Sequence, residues 1–331
     1  NNYVKTGCFI HPRTDLLSKA DVLFSINPLH SDETAKMKVG AVLLGIHQPL
    51  FNIQLVHDCL AKNLTLISLD MLPRTTRAQA MDVLSSQANI AGYKAVLLAA
   101  SVYPHYFPML MTAAGSVAPA KVLILGAGVA GLQAIATARR LGAVVEVFDT
   151  RPAAKEEVMS LGAKFIEVEG AADASKAGGY AVEQTEEYKQ RQQQRISDAI
   201  TKADIVITTA QIPGKRAPLL IPKTMVEGMK AGSVIIDLAA STGGNCELAK
   251  NNQTVMHHGV SIIGNSNLPS TVPSDASKMY GKNVFNFLKL LIDSDGNLQL
   301  NFDDELIKGA CITHQSKIIN ERINQMVQRY H

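Results

Sequence analysis

Three glycines, Gly126, Gly128 and Gly131, stand in the run LGAGVAG, at the end of a fully apolar stretch over 122–125 and the start of a stretch of helical period over 129–141. In that setting each has a task at a phosphate-bearing ligand. Gly126 permits a tight turn, Gly128 lets backbone approach a pyrophosphate with no Cβ in the way, and Gly131 lets the helix pack close to the sheet. The pyrophosphate then sits on a helix N-terminus, where free N–H groups and the dipole favour an anion. The next strand, over 144–148, runs into Asp149, 18 residues past Gly131. A carboxylate there accepts hydrogen bonds from the hydroxyls of an adenine ribose and repels a 2′-phosphate, so the spacing points to NAD(H) rather than NADP(H). Arg151, two residues on, is expected to face solvent or the neighbouring loop.

A second cluster, Pro73, Arg74, Arg77, Gln79 and Asp82 in LPRTTRAQAMD, falls between a strand end and a long helix. Polar groups at the C-terminal edge of a sheet are where open α/β folds bind ligands. Capping by Thr75 or Thr76, with Asp82 as a dipole partner, explains the same residues without one. Hydride transfer between two nicotinamides needs no metal and no proton donor, only two rings held face to face with water excluded. A dehydrogenase acting on a keto or amino acid needs an acid/base group, which makes the histidines diagnostic. His47, after the strand VGAVLLGI, is the one placed to reach a ligand, although a histidine there is more often a hydrogen-bonded bystander. His257 and His258 are expected to alternate faces on a strand as structural residues. Cys8, Cys59, Cys246 and Cys311 lie far apart, with no CxxC or Cys/His ligand spacing, so neither a disulfide framework nor a metal site is expected.

The elements that must position these residues follow from periodicity. From Ala20 onward, short β-branched runs alternate with helical-period stretches, the pattern of βαβ units and a parallel sheet. Strands are predicted at 21–26, 40–46 and 64–69, with a helix over 53–62, and further strands at 205–209, 234–238 and 260–263. Long helices are predicted over 79–102 and 274–291, both suited to connecting domains. The polar stretch 167–180 reads as a mobile loop ending at Tyr180, and 183–195 as a solvated helix face rather than a binding patch. A length of 331 residues suits two domains, and 47% hydrophobic against 18% charged residues excludes disorder for most of it. With 32 basic and 29 acidic residues, the net +3 is too small for the broad basic surface that phosphate backbones demand, so no nucleic-acid partner is expected. The longest apolar runs, such as 41–44 and 95–100, fall well short of the ~18 residues of a membrane span.

Longer motifs carry a resemblance. PRTTRAQAMDVLSSQANIAGYKAV from Pro73, VLILGAGVAGLQAIATARRLGAVVEVFDTR, AGGYA at Ala177, TTAQIPGK at Thr208 and GSVIIDLAASTGGNCE at Gly232 are together far more specific than the glycines alone. In these the chain resembles the alanine dehydrogenase/transhydrogenase family, and within it the NAD(H)-binding domain (domain I, α subunit) of proton-translocating NAD(P) transhydrogenases. The resemblance implies an α/β chain of two Rossmann-like, doubly wound parallel-sheet domains joined by long helices. The first takes residues 1–82 plus 293–331 and the second 83–292. By the same resemblance Arg74, Gln79 and Asp82 form a catalytic loop beside the nicotinamide. Cofactor contacts are implied for Ser85, Gly126, Gly128, Val129, Gly131, Asp149, Thr150, Arg151, Tyr180, Thr209, Ala210, Ile212 and Pro213. Bound NADH passes hydride to NADP(H) on a partner domain, coupled to a proton-translocating membrane domain. This component is then a homodimeric soluble domain peripheral to an energy-transducing membrane, on its cytosolic or matrix side. An alanine-dehydrogenase-like oxidoreductase is the alternative. Departures from the family are a missing opening strand and helices, which implies a first domain incomplete at its N-terminus, and Gln211 where an apolar residue is expected. His47 stands one place from the column of alanine dehydrogenase's catalytic histidine, which holds Gln48.

Overall fold

Residues 2–170 and 185–329 are described by the structure, a computed structural model. They divide into a first unit, Asn1–Leu84 with Met279–His331, and a second, Ser85–Lys278. In the first unit β1 (Val22–Ser25), β2 (Val42–Gly45) and β3 (Thr65–Ser68) run parallel, within a residue or two of the expected strands. Every residue of β2 and β3 is buried, as parallel strands covered on both faces require. Between them helix Ile53–Ala61 buries Leu55, Val56 and Cys59.

Past β3 the sequence prediction needs a correction. The long helix starts not at Gln79 but at Val83, running to Val102, and is preceded by a separate 3₁₀ turn, Thr76–Met81. Asp82, at φ −75° and ψ 89°, leaves the helical path between them. Aspartate's short polar side chain competes for nearby backbone groups and so favours such breaks. Gln79 therefore stands on a tight turn of its own.

The second unit continues from the long helix into a small antiparallel hairpin, β4 (Leu110–Thr112) and β5 (Gly115–Val117). Its main sheet follows: β6 (Lys121–Leu125), β7 (Val144–Phe148), β8 (Lys164–Phe165), β9 (Ile205–Thr208), β10 (Val234–Asp237), β11 (Gln253–His257) and β12 (Val260–Gly264). The seven strands lie in the order β11-β12-β10-β9-β6-β7-β8, parallel throughout except for β11. The chain winds outward from β6 to β8 and then returns to β9 on the other side of β6. The strand order therefore reverses between β6 and β9, and a crevice opens at their C-terminal ends. Gly92 of the long helix meets the start of helix Val129–Arg140 so closely that a Cβ on it would lie 2.0 Å from the Ala130 carbonyl oxygen.

Helix Pro273–Leu288 leads back to the first unit, where β13 (Cys311–His314) pairs antiparallel with β3, and β14 (Lys317–Ile318) with β13. Residues 279–292, expected with the second domain, belong to the first. Val284, Phe287 and Leu291 are buried there in one cluster with Leu44, Ile67 and Ile307.

Candidate functional site

At the end of β6, Gly126 turns the chain with φ +105°, in the left-handed region that favours glycine. A Cβ on Gly126 would lie 2.5 Å from Thr209 Oγ1, and one on Gly131 would lie 1.9 Å from the Gly126 carbonyl oxygen. The Thr209 hydroxyl donates to that same carbonyl at 3.0 Å, tying the ends of β6 and β9 together. Gly128 differs, because a Cβ there would meet nothing within 4 Å. It is the N-cap residue of helix Val129–Arg140, whose first-turn N–H groups have no partner within the helix. Two glycines are thus imposed by packing and the third faces open space at a helix N-terminus, a cradle that fits a pyrophosphate.

Asp149, next after β7, receives the Ala127 N–H on Oδ2 at 2.7 Å, so its carboxylate is aimed at the glycine turn. Arg151, expected to face solvent or the neighbouring loop, turns onto Asp149, with its side chain 23% exposed. It donates to Asp149 Oδ1 from its backbone N–H at 2.8 Å and from Nε at 2.9 Å, and to Oδ2 from Nη2 at 2.9 Å. This planar fork matches a carboxylate, and the bond to Asp149 holds the guanidinium pKa above its ordinary value. Beside it a cleft of about 100 Å³ is lined by Asp149, Thr150, Pro152, Lys155, Phe165, Glu167, Val168 and Tyr188. Pro152, Phe165, Val168 and Tyr188 give it apolar surface for a planar ring beside that carboxylate. Tyr188, on helix Glu186–Ile200, is 1% exposed, and burial pushes its phenol pKa up. The expectation of a solvated helix gave no hint of it.

After β9 the chain passes Thr209, Ala210, Ile212 and Pro213, and Gly214 turns it with φ +73°. Ala210 is held at both ends by the Asn245 side chain, whose Oδ1 accepts its N–H at 3.1 Å and whose Nδ2 donates to its carbonyl at 2.9 Å. Asn245 is itself fixed by Asp237, fully buried at the end of β10, which accepts the backbone N–H groups of Ala239, Asn245 and Cys246. Burial pushes the Asp237 pKa up against the pull of these bonds. Neither Asp237 nor Asn245 was picked out from the sequence; the only signal was a polar pair, in VIID and GGNC, inside an otherwise apolar unit.

The second unit thus brings Gly126, Gly128, Val129, Gly131, Asp149, Thr150, Arg151, Thr209 and Ala210 to the C-terminal edge of one sheet. Ser85 begins this unit at the start of the long helix. Tyr180 and most of the predicted loop lie outside the described residues. Arg74, Gln79 and Asp82 belong to the first unit, with Arg74 and Gln79 exposed and Asp82 half-buried. There Arg77 pairs with Asp304.

His47, the acid/base candidate, is fully buried, and neither ring nitrogen has a hydrogen-bond partner among the described residues. It is not the hydrogen-bonded bystander expected. Burial lowers its pKa to about 4, so the imidazole is neutral at pH 7. Its backbone N–H is held by Ser68 Oγ at 3.0 Å and Asp70 Oδ1 at 3.2 Å. The four cysteines are free, and burial pushes the thiols of Cys59, Cys246 and Cys311 to about 12, 11 and 12, which leaves them protonated and poor nucleophiles.

Comparison with known proteins decides the family. The model of the alanine dehydrogenase/PNT N-terminal domain matches residues 1–91, and that of the C-terminal domain residues 95–321. The chain belongs to the alanine dehydrogenase/PNT family. Within the family it is 48% identical over 312 residues to an NAD(P) transhydrogenase α-subunit component of Rhodospirillum rubrum, covering 92% of this chain and 81% of that one. A solved transhydrogenase from Sinorhizobium meliloti superposes with a TM-score of 0.85 at 44% identity, over 96% of this chain and 86% of that one. The alanine dehydrogenase of Mycolicibacterium smegmatis is more distant, 25% identical over 92% of this chain and 78% of its own.

Proposed function

We propose that this chain is the NAD(H)-holding component of a proton-translocating NAD(P) transhydrogenase and passes hydride between its own NAD(H) and NADP(H) held by a partner domain. The observation that carries the choice over amino-acid oxidation is His47. The one histidine placed to serve as acid or base is fully buried, with neither ring nitrogen open to a substrate, which suits a reaction that moves a hydride and no proton. Bound NAD(H) supplies the hydride at its nicotinamide ring. The helix N-terminus at Gly128 and Val129 takes the pyrophosphate, and Asp149 takes the adenine ribose. The cleft by Tyr188 takes the adenine, while Asn245 fixes the Ala210 segment beside it. Arg74, Gln79 and Asp82 serve the nicotinamide and the docked partner, as the family resemblance implies.

The partners are an NADP(H)-binding domain and a proton-translocating membrane domain. Among the described residues no helix is long and apolar enough to cross a membrane, which suits a component peripheral to it, on the cytosolic or matrix side. A homodimer contact is supported by the hairpin of β4 and β5, around which Tyr106, Met109, Met111 and Val117 are 61%, 61%, 79% and 37% exposed. On this reading Met111→Asp converts a dimer to monomers in light scattering, while a monomeric unmutated protein at micromolar concentration removes the dimer.

Calorimetry and turnover test the function itself. NADH is expected to bind and NADPH to bind at least about tenfold more weakly, a difference of about 1.4 kcal/mol. No turnover is expected with pyruvate, ammonia and NADH. A rate of about 1 per second or faster would establish the alanine-dehydrogenase reading instead.

A further inference from the structure

The hairpin of β11 and β12 departs from its sequence reading. His257 pairs with Val260, leaving a turn of only two residues, His258 and Gly259, both left-handed, with φ of +47° and +74°. Successive residues on a strand point to opposite faces, but a primed turn at His258 breaks that alternation. The two imidazoles come to lie on one side, with ring centroids 4.7 Å apart and planes 30° from parallel. Glu227, the last residue of helix Lys223–Glu227, reaches both from the preceding connection. Its Oε1 lies 3.0 Å from His257 Nε2 and 4.0 Å from His258 Nε2. The three ligand atoms lie within 4.8 Å of one another.

We propose that Glu227, His257 and His258 bind one divalent transition-metal ion of the zinc class. Two imidazole nitrogens and a carboxylate oxygen suit zinc, copper or nickel rather than magnesium or calcium, which prefer oxygen alone. Bonds of about 2.0–2.2 Å in a tetrahedron put neighbouring ligand atoms about 3.3 Å apart. The separations of 3.0 and 4.0 Å bracket that value and all three atoms lie within 4.8 Å, so closing on an ion requires side-chain shifts of at most about 1.5 Å. The backbone is already fixed: the Gly232 N–H donates to the Gly259 carbonyl at 2.8 Å, clamping the turn to the chain that follows Glu227. A Cβ on Gly259 would lie 2.9 Å from that of Ala231, so the turn cannot back away. His257, Glu227 and His258 side chains are 24%, 32% and 59% exposed, open to an ion from solvent and leaving a position for water. One cation competes, since Lys223 Nζ lies 3.6 Å from Glu227 Oε1 on a half-exposed side chain. The turn lies where β12 begins, at the sheet edge opposite the C-terminal end of β6 that carries Gly126. The ion therefore ties the helix end to the edge hairpin and takes no part in hydride transfer.

Titration of the chelator-stripped full chain with zinc chloride, in parallel with NADH titration of each variant, tests this. One equivalent of zinc is expected to bind with a micromolar Kd. His258→Gln and Glu227→Gln each weaken it at least tenfold, and Lys223→Ala tightens it severalfold by removing the competing ammonium. Unchanged NADH affinity in all three shows that the variants fold. A cobalt-loaded sample is expected to show d–d absorption without a thiolate charge-transfer band, which separates this site from the exposed Cys8. Failure to bind zinc below a millimolar, or binding that neither substitution weakens, overturns the proposal. Neither outcome bears on the transhydrogenase reading, which stands on the opposite edge of the sheet.

Discussion

Two aspartates end parallel strands of one sheet, and their fates differ. Asp149 follows β7 and Asp237 closes β10. Asp237 is spent on structure: three backbone N–H groups that cannot move occupy it, and it is fully buried. Asp149 accepts two backbone N–H groups, one from Ala127 in the glycine turn and one from Arg151, and its remaining donors are on the Arg151 guanidinium, whose side chain can swing away. A carboxylate committed to fixed donors organises the loops around a site. One shielded by a movable donor is available to a ligand.

The largest effect is expected where this contrast is broken on its structural side. Asp237→Ala leaves three buried N–H groups without an acceptor and releases Asn245 from Ala210, so a loss of about 3 kcal/mol or more is expected in denaturant unfolding. A change below about 0.5 kcal/mol would remove Asp237 from that role.

Burial without a partner is expected to show in pH as well. The fold holds His47 neutral by lowering its pKa from 6.5 to about 4. As pH falls from 6.5, the unfolded chain takes up a proton that the folded one refuses, so stability drops across that window and levels off below about 4. The loss contributed is about 3 kcal/mol by pH 4, and none of it is present above 6.5. A His47→Leu variant is expected to be flatter by that amount in urea unfolding from pH 7 to 4; identical slopes would place the acid sensitivity elsewhere.

On the ligand side the effects are smaller and specific. Asp149→Ala is expected to cost about tenfold or more in NADH affinity, the value of a hydrogen bond to a charged group. Arg151→Ala uncovers the carboxylate and removes the guanidinium beside it. NADH affinity is then kept within about threefold, under 0.7 kcal/mol, while NADPH binds more weakly than to the unmutated chain. Calorimetry with both nucleotides checks the pair, and an Arg151→Ala protein that gains NADPH affinity would invert the role given to the arginine.

These contrasts mark what was legible in the sequence. Gly126 and Gly131 could be read because their constraint is local: a left-handed turn and a carbonyl where a Cβ would go leave one residue type. The parallel strands could be read because burial on both faces makes them uninterrupted apolar runs. The Arg151 fork, the Asp237 and Asn245 network and the cleft wall at Tyr188 could not, because each depends on which side chains meet across elements far apart in the chain. The break at Asp82 and the paired histidines failed for a different reason. One residue outside the helical or strand conformation shifts every face that follows, and periodicity averages over it. The HHG of the β11 and β12 turn carried a usable sign, since histidine, like asparagine and aspartate, is enriched at positive φ and a glycine follows it, as a primed hairpin turn requires. The antiparallel pair β13 and β14 left no such mark.

That this chain holds NADH ready but depends on a partner for the acceptor is tested most directly by stopped-flow measurement of hydride transfer. NADH oxidation by NADP⁺ should be negligible with the chain alone, because nothing then brings the two reacting carbons within roughly 3–3.5 Å. With an NADP⁺-loaded partner domain it should be fast, and Gln79→Ala should slow it by far more than it weakens NADH binding, the mark of an interaction made at the reacting geometry. Full-rate transfer without the partner, or a Gln79→Ala protein that loses NADH affinity and rate in equal measure, would contradict that dependence.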